Sequence, residues 1–187
     1  MPGEGPFLWL GKDGPPSGFW QLPANGMCVS VFLFVTKGDR LLLGKYADDP
    51  AWTRLTGLDP GRYQTHGRGW TLPASHLKFG EAPVDGARRV MEQVLGIPHA
   101  AVVEAGMESD QYTPKRFPHL GEHYDLWLFY EARLPSDTLV ERPAWYRELA
   151  FHDPVTLRDE DYARGHEDVV ARWISRRATS VTRRDEA

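Results

Sequence analysis

The chain has a single cysteine, Cys28, among its 187 residues. One thiol closes no internal disulfide, so a disulfide scaffold is excluded and a reducing cytoplasm fits. Cys28 sits in the apolar run MCVSVFLFV, where a free thiol is expected as a buried structural side chain and not as a nucleophile. Long apolar runs are missing as well. None approaches the ~20 residues that a membrane helix needs, and the apolar start FLWL follows no basic region, so neither a bilayer span nor a secretory signal is expected. Positive charge is not in excess: 26 acidic and 22 basic residues leave a net charge of −4. That balance gives no general attraction to nucleic acid or to an anionic membrane. There is no internal repeat and no low-complexity tract. What remains, 41% hydrophobic and 26% charged residues, is ordinary globular composition, long enough for one well-buried core.

Residues 1–26 are rich in Gly and Pro and read as a loosely structured lead-in. MCVSVFLFVTKGDRLLLGKY then reads as two strands around the turn KGD, with Val29, Val31, Leu33 and Val35 on one face by the two-residue period. Residues 46–69 lack a clean period and form a long connection, a place where function or mobility concentrates. WTLPASHL is a short strand. APVDGARRVMEQVLG is a helix, with Pro83 suited to its first turn and Gly96 to its C-terminal stop. AAVVEAGMES and HYDLWLFYEARL are two more strands, and alternation in the second implies cover on both of its faces. RELAFHD is a last short strand. DEDYARGHEDVVARWISRR is a closing amphipathic helix with Val169, Val170, Trp173 and Ile174 on one side. Residues 27–177 thus form one domain, a mixed sheet between helices, and 178–187 a frayed tail.

The stretch from Leu72 to Ile97 carries the chemistry. It resembles the Nudix box, G-x5-E-x7-R-E-U-x-E-E-x-G-U with U aliphatic. Ser75 takes the first Gly position, Glu81 the first Glu and Arg89 the Arg. Val90 takes the next Glu, Met91 the U, Gln93 and Val94 the Glu pair, and Gly96 and Ile97 close the motif without a gap. The resemblance covers roughly residues 27–175. It implies a Nudix-type α/β/α sandwich with a mixed β-sheet and hydrolysis of a nucleoside diphosphate linked to another moiety. It also implies glutamates that hold Mg²⁺ or Mn²⁺ against the diphosphate, since hard cations prefer oxygen ligands. Glu81 and Arg89 are expected to keep the structural role of holding the loop.

At three of the glutamate positions stand two valines and an amide. At about 100° per residue, Val90, Gln93 and Val94 form one stripe that begins at the edge of the core face. Glu92 points roughly 150° from that stripe and cannot replace the lost ligands; four residues after Arg88, it suits a surface ion pair. The expectation is a retained fold that binds a nucleotide-like diphosphate with weak or no hydrolysis and no metal at the box. An active, divergent Mg²⁺- or Mn²⁺-dependent pyrophosphohydrolase is the alternative, with Glu81, Glu108, Asp110, Glu122 and His123 as candidates for a rebuilt site. A protein-interaction module, its cleft plugged by Val90 and Val94, is a further one. His76, Trp70, Glu122 and His123 are the candidate ligand contacts. Against these stand plainer roles: packed or solvated histidines, and core or interface packing for the tryptophan. His119 and His123 lie four apart, but Gly121 between them argues against a helical zinc pair. Homodimer formation stays open.

Overall fold

A computed structural model of the chain describes residues 27–56, 61, 63–64, 68–78, 80–112 and 123–185. The lead-in 1–26 and Glu122 lie outside the described residues. The sheet has the strand order β4-β5-β1-β2-β6, with β3 paired to β1. Its members are β1 (Met27–Lys37), β2 (Arg40–Tyr46), β3 (Ala74–His76), β4 (Val103–Tyr112), β5 (His123–Arg133) and β6 (Tyr146–His152). β1 lies at the centre. It runs parallel to β5 over its whole length and antiparallel to β2 and β3. The sheet is therefore mixed, as expected.

Period-two alternation divides β1 between two cores. Val31, Leu33 and Val35, all fully buried, point to one side, and Phe32 and Phe34 to the other. β5 obeys the same rule, with Tyr130 on the first side and Trp127 and Phe129 on the second. The second side is covered by α3 (His166–Asp185), which lays Val169, Val170 and Trp173 on the sheet. Trp173 stacks on Phe34 at 4.8 Å between centroids, and its indole N–H donates to Glu131 Oε1 at 2.7 Å. The helical backbone runs on to Asp185, through residues that the sequence assigned to a tail. No helix among the described residues is long and apolar enough to cross a membrane.

The first side is covered by two elements. One is α2 (Pro83–Arg89), with Pro in its first turn, followed by a π-helical turn over Val90–Val94. The Leu95 N–H donates to the Val90 carbonyl at 3.1 Å, five residues back, and Gly96 stops the run with φ +69°. The left-handed turn after the helix is where glycine costs least. The sequence anticipated one uniform helix here; the structure changes pitch at the first missing glutamate. The other element is α1 (Ala51–Thr56), inside the connection read as irregular. Asp49 Oδ1 accepts the Ala51 N–H at 2.8 Å, which is the work of an N-cap side chain.

Candidate functional site

Arg89 is the best-held polar group of the box. It is 7% exposed, yet it uses all five N–H donors of its guanidinium. Nε donates to Glu81 Oε1 at 2.7 Å and Nη2 to Glu81 Oε2 at 2.8 Å, a bidentate pair. Nη1 donates to Ser75 Oγ at 2.9 Å and to the Leu55 carbonyl at 3.2 Å; Nη2 also donates to the His76 carbonyl at 3.0 Å. Glu81 Oε2 accepts one more bond, from the Lys78 N–H at 2.9 Å. Burial alone would raise the Glu81 carboxyl, but the bonds from Arg89 and Lys78 and their charges outweigh it and hold the carboxyl below its ordinary value. One arginine thus ties together β3, the loop after it, α2 and the end of α1.

The glutamate positions face elsewhere. Val90 and Val94 are fully buried in the core, whereas Gln93 and its neighbour Glu92 are exposed. The single stripe expected from a regular helix is therefore split. Two of its members joined the core and one turned to water. The valines share that core with a group of aromatic rings. Trp52 of α1 is 1% exposed, 4.1 Å from the Tyr46 ring and 4.8 Å from that of Tyr146, within the same cluster as Val90 and Val94. Its indole donates to the Trp145 carbonyl, and the Trp145 indole donates to the Val94 carbonyl, each at 2.9 Å. Tyr146 is no acid or base for chemistry here: burial first, then neighbouring Tyr46, pushes its hydroxyl well above the usual range, against the pull of Arg164.

These residues do not fit a divalent cation. Val90 and Val94 have no donor atom, Glu81 spends both oxygens on Arg89 and Lys78, and no cluster of three His, Cys, Asp or Glu side chains with metal-holding geometry occurs among the described residues. Glu108, a candidate for a rebuilt site, is held on the opposite face of the sheet by Arg172 at 3.6 Å and Arg176 at 2.6 Å, both on α3. Asp110 lies in β4 and His123 opens β5, opposite Tyr112. Trp70 belongs to the α3 side too. It bridges Tyr162, its ring lies 4.1 Å from that of His152, and the Lys45 ammonium sits 4.3 Å above it.

Ser75 and His76 do come together, at a small pocket where β3 meets β1. His76 is buried, with Nδ1 3.4 Å from the Thr56 carbonyl. Ser30, Phe32, Thr56 and Arg164 complete the lining. Neither Ser30 nor Arg164 lies in a motif that would single it out. Only α1 could have been found in advance, from Asp49-Pro50 followed by Ala51 and Trp52, a helix-start pattern.

No family model matches the chain, and no curated protein is significantly similar to it in sequence. Solved structures do match. The MutT protein from Methanosarcina mazei Go1 superposes with a TM-score of 0.55 at 14% identity, over 83% of this chain and 97% of that one. A Nudix hydrolase from Nitrosomonas europaea does so with 0.50 at 13%, over 84% and 90%. An Ap4A hydrolase of C. elegans, in a binary complex, does so with 0.51 at 13%, over 83% and 98%. Likeness at such identity carries the fold: the chain has the Nudix fold, an α/β/α sandwich on a mixed sheet.

Proposed function

We propose that this Nudix-fold protein binds a nucleotide-like diphosphate without efficient metal-dependent hydrolysis. The observation that carries this reading is the box itself. Val90 and Val94, at two of the three replaced glutamate positions, are 0% exposed, in the core cluster that also holds Trp52. Phosphoryl chemistry at a Nudix box needs a cation that offsets the phosphate charge and polarises phosphorus. Valine supplies no ligand, and both side chains are withdrawn from solvent. The ligand class is supported by a structural neighbour that bears the name Ap4A hydrolase. The single Cys28 supports the cytoplasm as its place of work.

The test is a melting series of the full chain with a panel of nucleoside diphosphate derivatives, with and without Mg²⁺ or Mn²⁺, alongside phosphate release. A ligand at a hundred times its Kd adds about 2.7 kcal/mol, or roughly 5–10 °C in Tm for a domain of this size. The expected result is such a shift, equal with and without metal, and phosphate release at background. Metal-dependent turnover on the order of 1 s⁻¹ or faster would put the active, divergent hydrolase in its place. Absence of any shift, together with self-association, would favour the interaction module.

A further inference from the structure

The sheet has one face that is only partly covered. β1 and β5 run parallel over the whole length of β1, and parallel strands ordinarily have cover on both faces. On the second side the cover is complete: Trp127 and Phe129 of β5 are buried in the core that α3 closes. On the first side the core reaches Tyr130 and Leu128 and goes no further along β5. Toward the start of that strand the same face carries Leu126, half-buried, and Tyr124, 46% exposed. Register places Val29 and Met27 of β1 beside them. Met107 of β4, opposite Leu128, adds a side chain that is 57% exposed. Met27, Val29, Tyr124, Leu126 and Met107 thus form one apolar surface across three neighbouring strands, outside both cores among the described residues. A contiguous apolar patch of this kind marks a contact site.

The chain itself carries a fitting occupant. Residues 1–26 join the sheet at the corner of this surface, because β1 starts at Met27 and Met27 pairs with Tyr124. Their sequence holds FLWL at 7–10 and Phe19-Trp20, large apolar side chains set among Gly and Pro. Seven residues separate Trp20 from Met27, a reach of up to roughly 23 Å. Met107 stands two strands from β1, about 10 Å away, and Leu128 lies about 13 Å along β5 from Tyr124. Phe19 and Trp20 can therefore reach any part of the surface. The connection between β4 and β5 begins at the same corner, but its residues 113–122 offer only Phe117 and Leu120 as large apolar side chains, and it is tied at both ends. We propose that residues 1–26 dock on the Tyr124–Leu126–Met107 face, with Phe19 and Trp20 as the main anchors. The motive is removal of apolar surface from water on both partners. This inference is independent of the nucleotide reading.

The experiment uses the full chain and dilute hydrogen peroxide, with sulfoxide formation at Met107 followed by peptide mass spectrometry. The thioether should react several-fold faster in Phe19→Ser/Trp20→Ser than in the natural chain, and by a smaller factor in Phe7→Ser/Trp9→Ser. Met91, 1% exposed, is the internal control and should stay slow in all three. The reciprocal test leaves residues 1–26 unchanged: Met107→Ser, at a half-exposed edge position, should speed tryptic cleavage after Lys12 several-fold. If Met91 becomes reactive in a lead-in variant, that variant has loosened the core, and the Lys12 cleavage rate alone decides. Met107 that oxidises equally fast in all three proteins would overturn the proposal. Met107 equally protected in all three would overturn it as well. Protection that grows with protein concentration would then assign the face to a second copy, and protection independent of concentration would assign it to another segment of the chain.

Discussion

Replacing Arg89 by methionine keeps a long apolar stem and deletes five hydrogen bonds together. The Glu81 side chain, 14% exposed, would keep its Lys78 N–H but lose its counter-charge. Removing one partner of a buried ion pair costs about 3–5 kcal/mol, mostly through the charge left behind. For a chain of this length that is a fall of roughly 6–20 °C in Tm. Glu81→Gln with Arg89→Met should cost less than the sum of the two single changes, because neither charge is then stranded. Arg89→Lys restores the charge but not the fork, and should recover only part of the loss. Urea unfolding of the four proteins measures this directly. The pH dependence supplies an independent check. The folded carboxyl of Glu81 titrates below its unfolded value near 4.5, so the stability it contributes is fully present above pH 4.5 and is lost as pH falls below that. Glu81→Gln should flatten that part of the curve. An Arg89→Met protein within ~1 kcal/mol of the natural chain would refute the view that this arginine locks the box.

Two further outcomes follow from the same geometry. Burial, then the charges of Lys45 and Arg40, hold the His152 imidazole below its ordinary 6.5 in spite of Glu148. The unfolded chain therefore takes up the proton first, stability should drop as pH falls through 6.5, and His152→Gln, followed by urea midpoints between pH 7.5 and 5, should remove that drop; an unchanged slope would contradict it. Val94→Glu places a carboxylate at a fully buried position and should cost on the order of 3 kcal/mol. Restoring all three glutamates should not make Tm respond to Mn²⁺, because Gln93 is exposed while Val90 and Val94 are fully buried; a Mn²⁺-dependent rise in Tm would show that the turn can present the three side chains together.

Much of this was legible because it follows from short periods. Alternation in MCVSVFLFV assigned Val31, Leu33 and Val35 to one side of β1, and the structure buries them there. The motif spacing paired Glu81 with Arg89 across a loop, and the two are bonded. What stayed hidden depends on tertiary placement. A regular 100° step put Val90, Gln93 and Val94 on one stripe, but a π turn begins at Val90 and resets the angle. α1 is six residues long, too short to show a period, so only Asp49 at its start signalled it. Trp70 and Glu108 were candidates by neighbourhood in sequence alone, and the sheet sets both on the side away from the box.

Val90, Val94 and the aromatic core around them belong together physically. Three carboxylates on adjoining turns repel one another and need a cation or water at the same place; an indole cannot lie on them. Valine reverses each of these demands. Burying Val90 and Val94 contributes about 1.5–3 kcal/mol apiece, but only if something apolar covers them. Trp52 belongs to the cluster that buries them, and α1, which carries it, is held at both ends, by Asp49 at its start and by Arg89 on the Leu55 carbonyl at its finish. Arg89 is the box residue that makes this arrangement available. It orders the loop through Glu81 and also fastens the end of α1 through the Leu55 carbonyl. The clamp and the metal ligands are thus separable parts of the box. The clamp serves the fold whether or not a cation is bound, and so Glu81 and Arg89 stand intact beside a face that has become core.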